Sequence, residues 1–259
     1  MTAGVIVNGA AGRMGRLVAT ALRRAGLGPV AGRVRGGVEG TLALDDGPLP
    51  LVGDLVEDLA PEGVVVDFSH ASAAADLARA ASEGGARLVV GTTGHDAGQL
   101  AALRLVSARV PVVAARNFSL GLNRLLQLVP SFRVLLEDEF DVECLEIHHR
   151  GKRDAPSGTA SALVEALAPA APRVHGRHGA EAQRARGEIG VHSVRLGQVV
   201  GEHALLFGGE HEVIELRHRA LDRGAFVTGV VPAVRFVLRQ PAGWYSMLDV
   251  IRDGAASEV

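Results

Sequence analysis

The distribution of apolar and polar positions divides the chain into two parts. Up to residue 117, short apolar runs alternate with amphipathic stretches. Val5-Ile6-Val7, Val64 to Phe68, Arg87 to Val90 and Val110 to Ala114 read as strands, with a further strand near residues 29–35. Continuous apolar runs of this length suit parallel strands that are covered on both faces. Arg16 to Leu22, Ala71 to Glu83 and Leu100 to Ala108 read as helices, Leu55 to Leu59 as a short helix, and the glycine-rich stretch 36–50 as a loop. Strands alternating with helices predict an α/β fold with a doubly wound parallel sheet.

After residue 117 the pattern changes. Leu120 to Leu136 predicts one long helix. Asp141 to His149 alternates, with Val142, Cys144 and Ile147 set against Glu143, Glu146 and His148, and predicts a strand. Ser157 is a good N-cap for a helix through Leu167. Residues 169–187, rich in Ala, Arg, Pro and Gly, read as a surface loop and a candidate lid. Three extended runs follow directly on one another, 189–196, 198–207 and 212–218, and predict an α+β second domain with a mixed sheet. Phe226 to Leu238 reads as a helix that Pro232 should kink or delay. Trp244 to Ile251 is expected to pack back on the first domain. The expected division is therefore 1–117 completed by 228–259, and 118–227.

Composition narrows the function classes. The chain has 259 residues, 47% hydrophobic, with a formal net charge of −2, which argues against a nucleic-acid or membrane-surface protein. Aromatic residues make up only 3%, so the core has to come from Val, Leu, Ile and Ala. The single cysteine, Cys144, permits no intramolecular disulfide and suits a reducing cytoplasm. The start lacks a signal-peptide pattern, and no apolar run approaches the ~20 residues of a membrane span. His192, His203, His211 and His218 lack metal-ligand spacing and read as structural or surface residues, so no metal site is expected.

Two groups of motifs carry chemistry. The first is Asn8-Gly9-Ala10-Ala11-Gly12-Arg13-Met14-Gly15, directly after a strand and opening a helix. Gly9 permits the tight turn, Gly12 a close phosphate approach and Gly15 close helix–strand packing, as in a Rossmann-like dinucleotide site. Many NAD sites place an acidic residue at the end of the second strand for the ribose 2′-hydroxyl; here Val34 stands between Arg33 and Arg35. Arginine there leans towards a 2′-phosphate, hence NADPH, or towards use of both NADPH and NADH. Gly91-Thr92-Thr93 and Ala115-Arg116-Asn117-Phe118 fall at the carboxyl ends of parallel strands, where such sheets bind their ligands.

The second group runs from Glu146 to Ala160. Lys152 is the only lysine in the chain, and it follows the adjacent pair His148-His149. Arginine stays protonated and is a poor proton donor; lysine and histidine can each release a proton in a closed site. Neighbours on a strand point to opposite faces, so both histidines reach one ligand only if the strand ends there, as Gly151 suggests. Gly158 and Thr159 then offer free N–H groups at a helix N-terminus, which suits a carboxylate. The plainer alternative is an ordinary strand–turn–helix connection with polar surface histidines.

This combination resembles the 4-hydroxy-tetrahydrodipicolinate (dihydrodipicolinate) reductase family, nearly end to end. The family signature E-x-H-H-x-x-K-x-D-A-P-S-G-T-A is matched at each fixed position from Glu146 to Ala160, and the segments at 9–15, 91–94, 117–119, 189–195 and 247–250 match as well. The resemblance implies a two-domain enzyme of lysine and diaminopimelate biosynthesis. It implies hydride transfer from NADH or NADPH to a cyclic dicarboxylate imine or enamine, and a homotetramer assembled through the second domain's sheet. By motif position, His148 is the proton donor/acceptor and Lys152 a proton donor that could equally attract a carboxylate. His149, Ser157, Gly158 and Thr159 fall to the substrate; Gly9 to Met14, Arg35, 91–93 and 115–118 fall to the cofactor. Two positions depart from the pattern. Val34 replaces the acidic residue that members using NADH well often carry, and Arg116 stands where a smaller residue is expected.

Overall fold

The structure is a computed structural model that describes residues 4–137 and 140–256. In chain order its elements are β1 (Val5–Asn8), α1 (Arg13–Arg24), β2 (Ala31–Arg33), β3 (Gly40–Leu44), β4 (Gly47–Leu51), β5 (Val64–Asp67), α2 (Ala74–Gly84), β6 (Arg87–Val90), α3 (Ala97–Val106), β7 (Pro111–Ala114) and α4 (Leu120–Leu128). Then come α5 (Arg133–Glu137), β8 (Asp141–His148), α6 (Gly158–Leu167), β9 (Arg173–Val174), β10 (Ile189–Arg195), β11 (Gly201–Gly208), β12 (Val213–Ala220), α7 (Val230–Val237), β13 (Gly243–Tyr245) and α8 (Met247–Ala256). The chain divides into two compact units, one formed by residues up to Leu120 and from Gly224 on, the other by Gly121–Arg223.

The first unit is built on an eight-stranded sheet in the order β13-β7-β6-β5-β1-β2-β4-β3. All its strand pairs are parallel except β3 with β4. Alternate residues of each strand feed two separate cores. Val5, Val7, Val64, Val66, Val89 and Val113 pack with Val18 and Leu22 of α1, Val230 and Val234 of α7 and Val250 of α8. Ile6, Val65, Leu88, Val90 and Val112 pack with Leu77 and Ala80 of α2 and Leu103 and Val106 of α3. Strands buried on both faces are why these segments read as unbroken apolar runs. Pro232 falls in the first turn of α7, where its missing N–H is harmless, and so delays the helix rather than kinking it. Trp244 pairs with Val112, adding β13 to the sheet edge.

Three expectations are corrected. Residues 36–50 are not a plain loop: β3 and β4 form a hairpin closed by the two-residue turn Asp45-Asp46. Its prolines, Pro48 and Pro50, are tolerated because β4 meets β2 only at the Gly32–Leu51 pair, leaving most of that edge without a ladder. Leu55 to Leu59 is a set of turns, not a helix; the Asp54 carboxylate accepts from the Val56 N–H at 2.7 Å as an N-cap would, but Pro61 follows too soon for a helix to extend. The long helix predicted over 120–136 is split into α4, a 3₁₀ turn at Val129–Phe132 and α5, because Pro130 cannot donate in the middle of a helix.

The second unit carries a mixed sheet in the order β12-β11-β8-β10-β9, with β8, β10 and β9 parallel and β11 antiparallel to both neighbours. Val142 and Cys144 of β8, Ile189 and Val191 of β10, and Leu205 and Phe207 of β11 form one core with Leu163, Val164 and Leu167 of α6. The expected grouping of Ile147 with Val142 and Cys144 is corrected. The buried positions of β8 are 142, 144, 146 and 148, so the core face ends in Glu146 and His148 while Leu145 and Ile147 turn to the other face. From residues 169–187, which include β9, Arg177 reaches Glu143 at 3.2 Å and Glu188 at 2.5 Å, and Arg184 reaches Asp141 at 2.7 Å. No helix of the described residues is long and apolar enough to cross a membrane.

Candidate active site

In the first unit the expected cofactor residues lie at or just past the carboxyl ends of β1, β2, β6 and β7. Gly9 sits at φ +84°, and a Cβ on Gly15 would lie 2.1 Å from the Gly9 carbonyl oxygen, so only glycine lets α1 start this close to the strand. No side chain caps α1, and its first turn holds no acidic residue. The first-turn N–H groups of Arg13 and Met14 therefore point outwards without a capping partner, the arrangement that receives a phosphate. These features fit a dinucleotide pyrophosphate. Ala11, Gly12 and Arg13 are exposed, whereas Ala10 is buried and can offer a ligand only its backbone.

Around this loop the strand ends are bonded to one another. Asn8 donates to Asp67 at 2.7 Å and to the Ser69 hydroxyl at 3.1 Å. Thr92 accepts from the Ser69 N–H at 2.8 Å, and the Gly91 N–H donates to the Asp67 carbonyl at 2.8 Å. Burial pushes the Asp67 carboxyl up, against the bonds it accepts. Arg33 is engaged within the fold, with Asn8 at 3.3 Å and Asp76 at 2.7 Å. Arg35 is exposed, as are Thr93 and Arg116. Ala115 continues the β7 pairing through a bond to the Val90 carbonyl, and the Asn117 side chain caps the Ser119 N–H at 2.7 Å. The Phe118 ring is buried in the core 5.5 Å from Phe68, and its carbonyl accepts from the Gly229 N–H at 2.7 Å.

In the second unit β8 ends at His148, and the Leu196 N–H donates to the His148 carbonyl at 2.8 Å. Glu146, fully buried, lies at the centre of the site. Its two carboxylate oxygens each accept from Arg195 at 2.9 Å, a bidentate pair, and one of them also accepts from the Ser157 N–H at 3.2 Å. The other pairs with Nδ1 of His148. Since a carboxylate only accepts, Nδ1 carries the proton and Nε2 is left as the atom that gains or loses one. Burial would raise the Glu146 carboxyl, but the bonds from Arg195 and His148 outweigh it and hold it below the usual carboxylate range. Burial also pushes the His148 imidazolium down, opposed by Glu146, while Lys152 and Arg195 add to the depression.

Lys152 leaves the turn beside this group with Nζ 2.8 and 3.0 Å from the two oxygens of Asp154. His149 is half-buried, just past the strand end. Ser157 caps α6 by accepting from the Ala160 N–H at 3.1 Å, which leaves the N–H groups of Gly158 and Thr159 open at the helix start. A Cβ on Gly158 would meet nothing within 4 Å. His148, Lys152, Ser157, Gly158 and Thr159 thus surround one helix N-terminus within one unit. Among the described residues no group of three or more His, Cys, Asp or Glu is arranged to hold a metal ion.

Several residues at the site escape the sequence pattern. Glu146 belongs to the signature, yet its role shows only when β8 places it on the core face. Arg195 lies 49 residues further on and reaches Glu146 because β10 pairs with β8. His203, expected to be structural or on the surface, is buried against His148 and Ser157. The one available signal was register: period-two alternation puts Glu146 and His148 with the apolar Val142 and Cys144.

Comparison with known proteins places the chain in a family. The family model described as dihydrodipicolinate reductase, N-terminus, matches residues 3–118, and that described as dihydrodipicolinate reductase, C-terminus, matches residues 121–251. A 4-hydroxy-tetrahydrodipicolinate reductase of Anaeromyxobacter sp. (strain Fw109-5) is 43% identical over 95% of this chain and 97% of its own length. One from Alkalilimnicola ehrlichii is 39% identical over 97% and 99%. Among solved structures, a dipicolinate-bound dihydrodipicolinate reductase from Paenisporosarcina sp. TG-14 shares the fold, with a TM-score of 0.70 and 24% identity over 95% of this chain and 98% of that one. With both halves matched and relatives at this identity along almost the whole chain, the protein belongs to the dihydrodipicolinate reductase family.

Proposed function

We infer that this chain is an NAD(P)H-dependent oxidoreductase that reduces 4-hydroxy-tetrahydrodipicolinate to tetrahydrodipicolinate in lysine and diaminopimelate biosynthesis. The observation that carries the inference is the buried Glu146–Arg195–His148 group beside the open N-terminus of α6. It supplies a histidine of fixed tautomer next to an anion site, and Lys152 lies within reach of the same histidine's charge.

A reduced nicotinamide, when bound, would supply the hydride, and the α1 start with Gly9, Gly12, Arg13 and Met14 would hold the dinucleotide. Loss of the substrate's 4-hydroxyl as water gives a conjugated cyclic imine, and hydride addition to that imine would leave an electron pair on the ring that must take up a proton. We assign that transfer to Lys152 and His148. In the arrangement described, His148 presents Nε2 with Nδ1–H held by Glu146, and the Lys152 ammonium carries protons while paired to Asp154. A substrate carboxylate competes with Asp154 for Lys152, which draws the ammonium onto the substrate. The N–H groups of Gly158 and Thr159 receive a carboxylate, and His149 borders it. Ser157 acts by shaping that site, since its hydroxyl is engaged with Ala160 and His203.

The cofactor preference we propose is NADPH ahead of NADH. Val34 offers no carboxylate to a ribose 2′-hydroxyl, Arg33 is engaged within the fold, and Arg35 and Arg13 are exposed beside the loop. A homotetramer is part of the same proposal. The second unit's sheet has a face opposite its core that carries half-buried Leu145, Ile147 and Leu206 and exposed Val194, which suits burial against a further copy. A cytoplasmic location accords with the lone, buried thiol of Cys144. The test is oxidation of NADPH and of NADH by the purified chain, with freshly made product of the preceding synthase as substrate. Turnover with both and NADPH ahead is expected. NADH strongly ahead discards the Arg35 assignment, and dinucleotide binding without turnover discards the reductase.

A further inference from the structure

We propose that His203 is a positioning residue that locks the His148 ring and the Ser157 cap of α6 into one rigid group. The proposal rests on the reading of His148 as a proton-transfer group and of the α6 start as a carboxylate site. His203 lies on β11 directly across from Glu146 of β8, so the two share a face of the sheet. It is 3% exposed. Its Nε2 lies 3.1 Å from the Ser157 hydroxyl oxygen, which also accepts from the Ala160 N–H. The His203 ring meets the His148 ring nearly edge-on, with centroids 5.1 Å apart and planes at 72°. One buried imidazole therefore touches both the ring that moves the proton and the residue that caps the carboxylate-binding helix.

The surroundings explain why a histidine suits this place. His148 is faced by Glu146 from β8, Lys152 and Asp154 from the following turn, Arg195 from β10 and His203 from β11, with His218 of β12 beyond it. Two cations already crowd His148. A third would oppose its protonation, and a small residue would admit water to the ring. His203 is kept neutral by burial, with His148 and His218 disfavouring its charge further. It thus fills the space without adding charge, while still offering Ser157 a polar partner. A phenylalanine would satisfy only the first demand, and a glutamine, whose amide reaches as far as Nε2, only the second.

That difference gives the test. His203→Phe and His203→Gln are compared with the unaltered enzyme by steady-state kinetics across pH and by NMR titration of the labelled His148 imidazole. His203→Phe, which loses the bond to Ser157, is expected to raise KM for the dicarboxylate roughly three- to tenfold, the effect of one hydrogen bond, and to leave the His148 titration in place. His203→Gln is expected to keep KM within about twofold and to move the His148 midpoint upward by about half a unit or more as water reaches the ring. Equal effects of both variants on KM and kcat with an unmoved His148 titration would overturn the proposal and leave His203 a plain core residue. If the phenylalanine variant does not fold, the titration of the glutamine variant decides. His148→Gln serves as a control: unchanged turnover there removes the catalytic assignment of His148, while the NMR titration still judges His203.

Discussion

A buried neutral histidine makes the second unit sensitive to acid, and His203 allows the size of the effect to be worked out. Burial, with His148 and His218 nearby, lowers its pKa from an ordinary 6.5 to about 3. Between these values the unfolded chain binds a proton that the folded one refuses. Stability contributed by the neutral ring is therefore complete above pH 6.5 and falls as the pH drops, by about 1.4 kcal/mol per pH unit, until the folded ring protonates near pH 3. Between pH 7.5 and 4.5 the loss from this one residue is about 2–3 kcal/mol. His148 and His218 are also depressed and add in the same direction, and the raised Asp67 acts in the opposite one, so the absolute curve is composite. His203→Phe isolates the effect, because it keeps a ring against His148 and leaves the other groups in place. The assay is urea unfolding at fixed protein concentration, followed by far-ultraviolet circular dichroism. Fluorescence would report the wrong unit, since the only tryptophan and tyrosine, Trp244 and Tyr245, lie in the first. The unaltered protein should lose about 2–3 kcal/mol more than His203→Phe over that range. Parallel losses would refute the reasoning, for they would mean that His203 takes up a proton in the folded state.

Three further outcomes are expected. Lys152→Ala should lower kcat/KM by about a hundredfold or more, the usual share of a general acid, while titration with NADPH shows unchanged dinucleotide binding; unaltered turnover would remove Lys152 from the chemistry. Arg35→Ala should weaken NADPH about 10- to 100-fold, the value of one charge-assisted bond to a phosphate, and leave NADH nearly untouched; equal effects on both cofactors in paired KM measurements would remove the 2′-phosphate assignment. Glu146→Gln keeps the shape but leaves the Arg195 guanidinium without its carboxylate, so chemical denaturation should show a loss of about 3 kcal/mol, and NMR should show the His148 titration moved down; an upward move would contradict the pairing.

How much of the fold could be read in advance depended on where burial makes the pattern one-sided. The parallel strands of the first unit are covered on both faces, and their runs of Val and Leu announced them. The β3–β4 hairpin did not announce itself. It lies at the sheet edge, its strands carry Gly40, Gly47, Pro48 and Pro50, and the turn-forming run Asp45-Asp46-Gly47 was the one local sign of it. Leu55 and Leu59 are buried as a helix would bury them, and Asp54 caps the segment, yet Pro61 follows too soon for the turns to extend into a helix. In 120–136 the apolar spacing continues through Pro130, and periodicity alone does not register a missing donor.

For the site, the glycines of 9–15 and the cap at Ser157 were legible because each acts on the backbone within a few residues. Glu146, Arg195 and His203 were not, because they meet only through strand pairing across 49 and 57 residues. What the sequence does hold is a violation of its own alternation. On β8 the positions that should continue Val142 and Cys144 into the core are Glu146 and His148. A charge placed there is tolerated only if it is paired and hydrogen-bonded. Register therefore requires a cation and further donors on the neighbouring strands or turns, and Arg195, Ser157 and His148 meet the requirement. Polar residues that fall in a buried register mark where a strand stops serving the core and starts serving chemistry. Here that point is the last three residues of β8, and it is there that the helix start, the lysine, Arg195 of β10 and His203 of β11 converge.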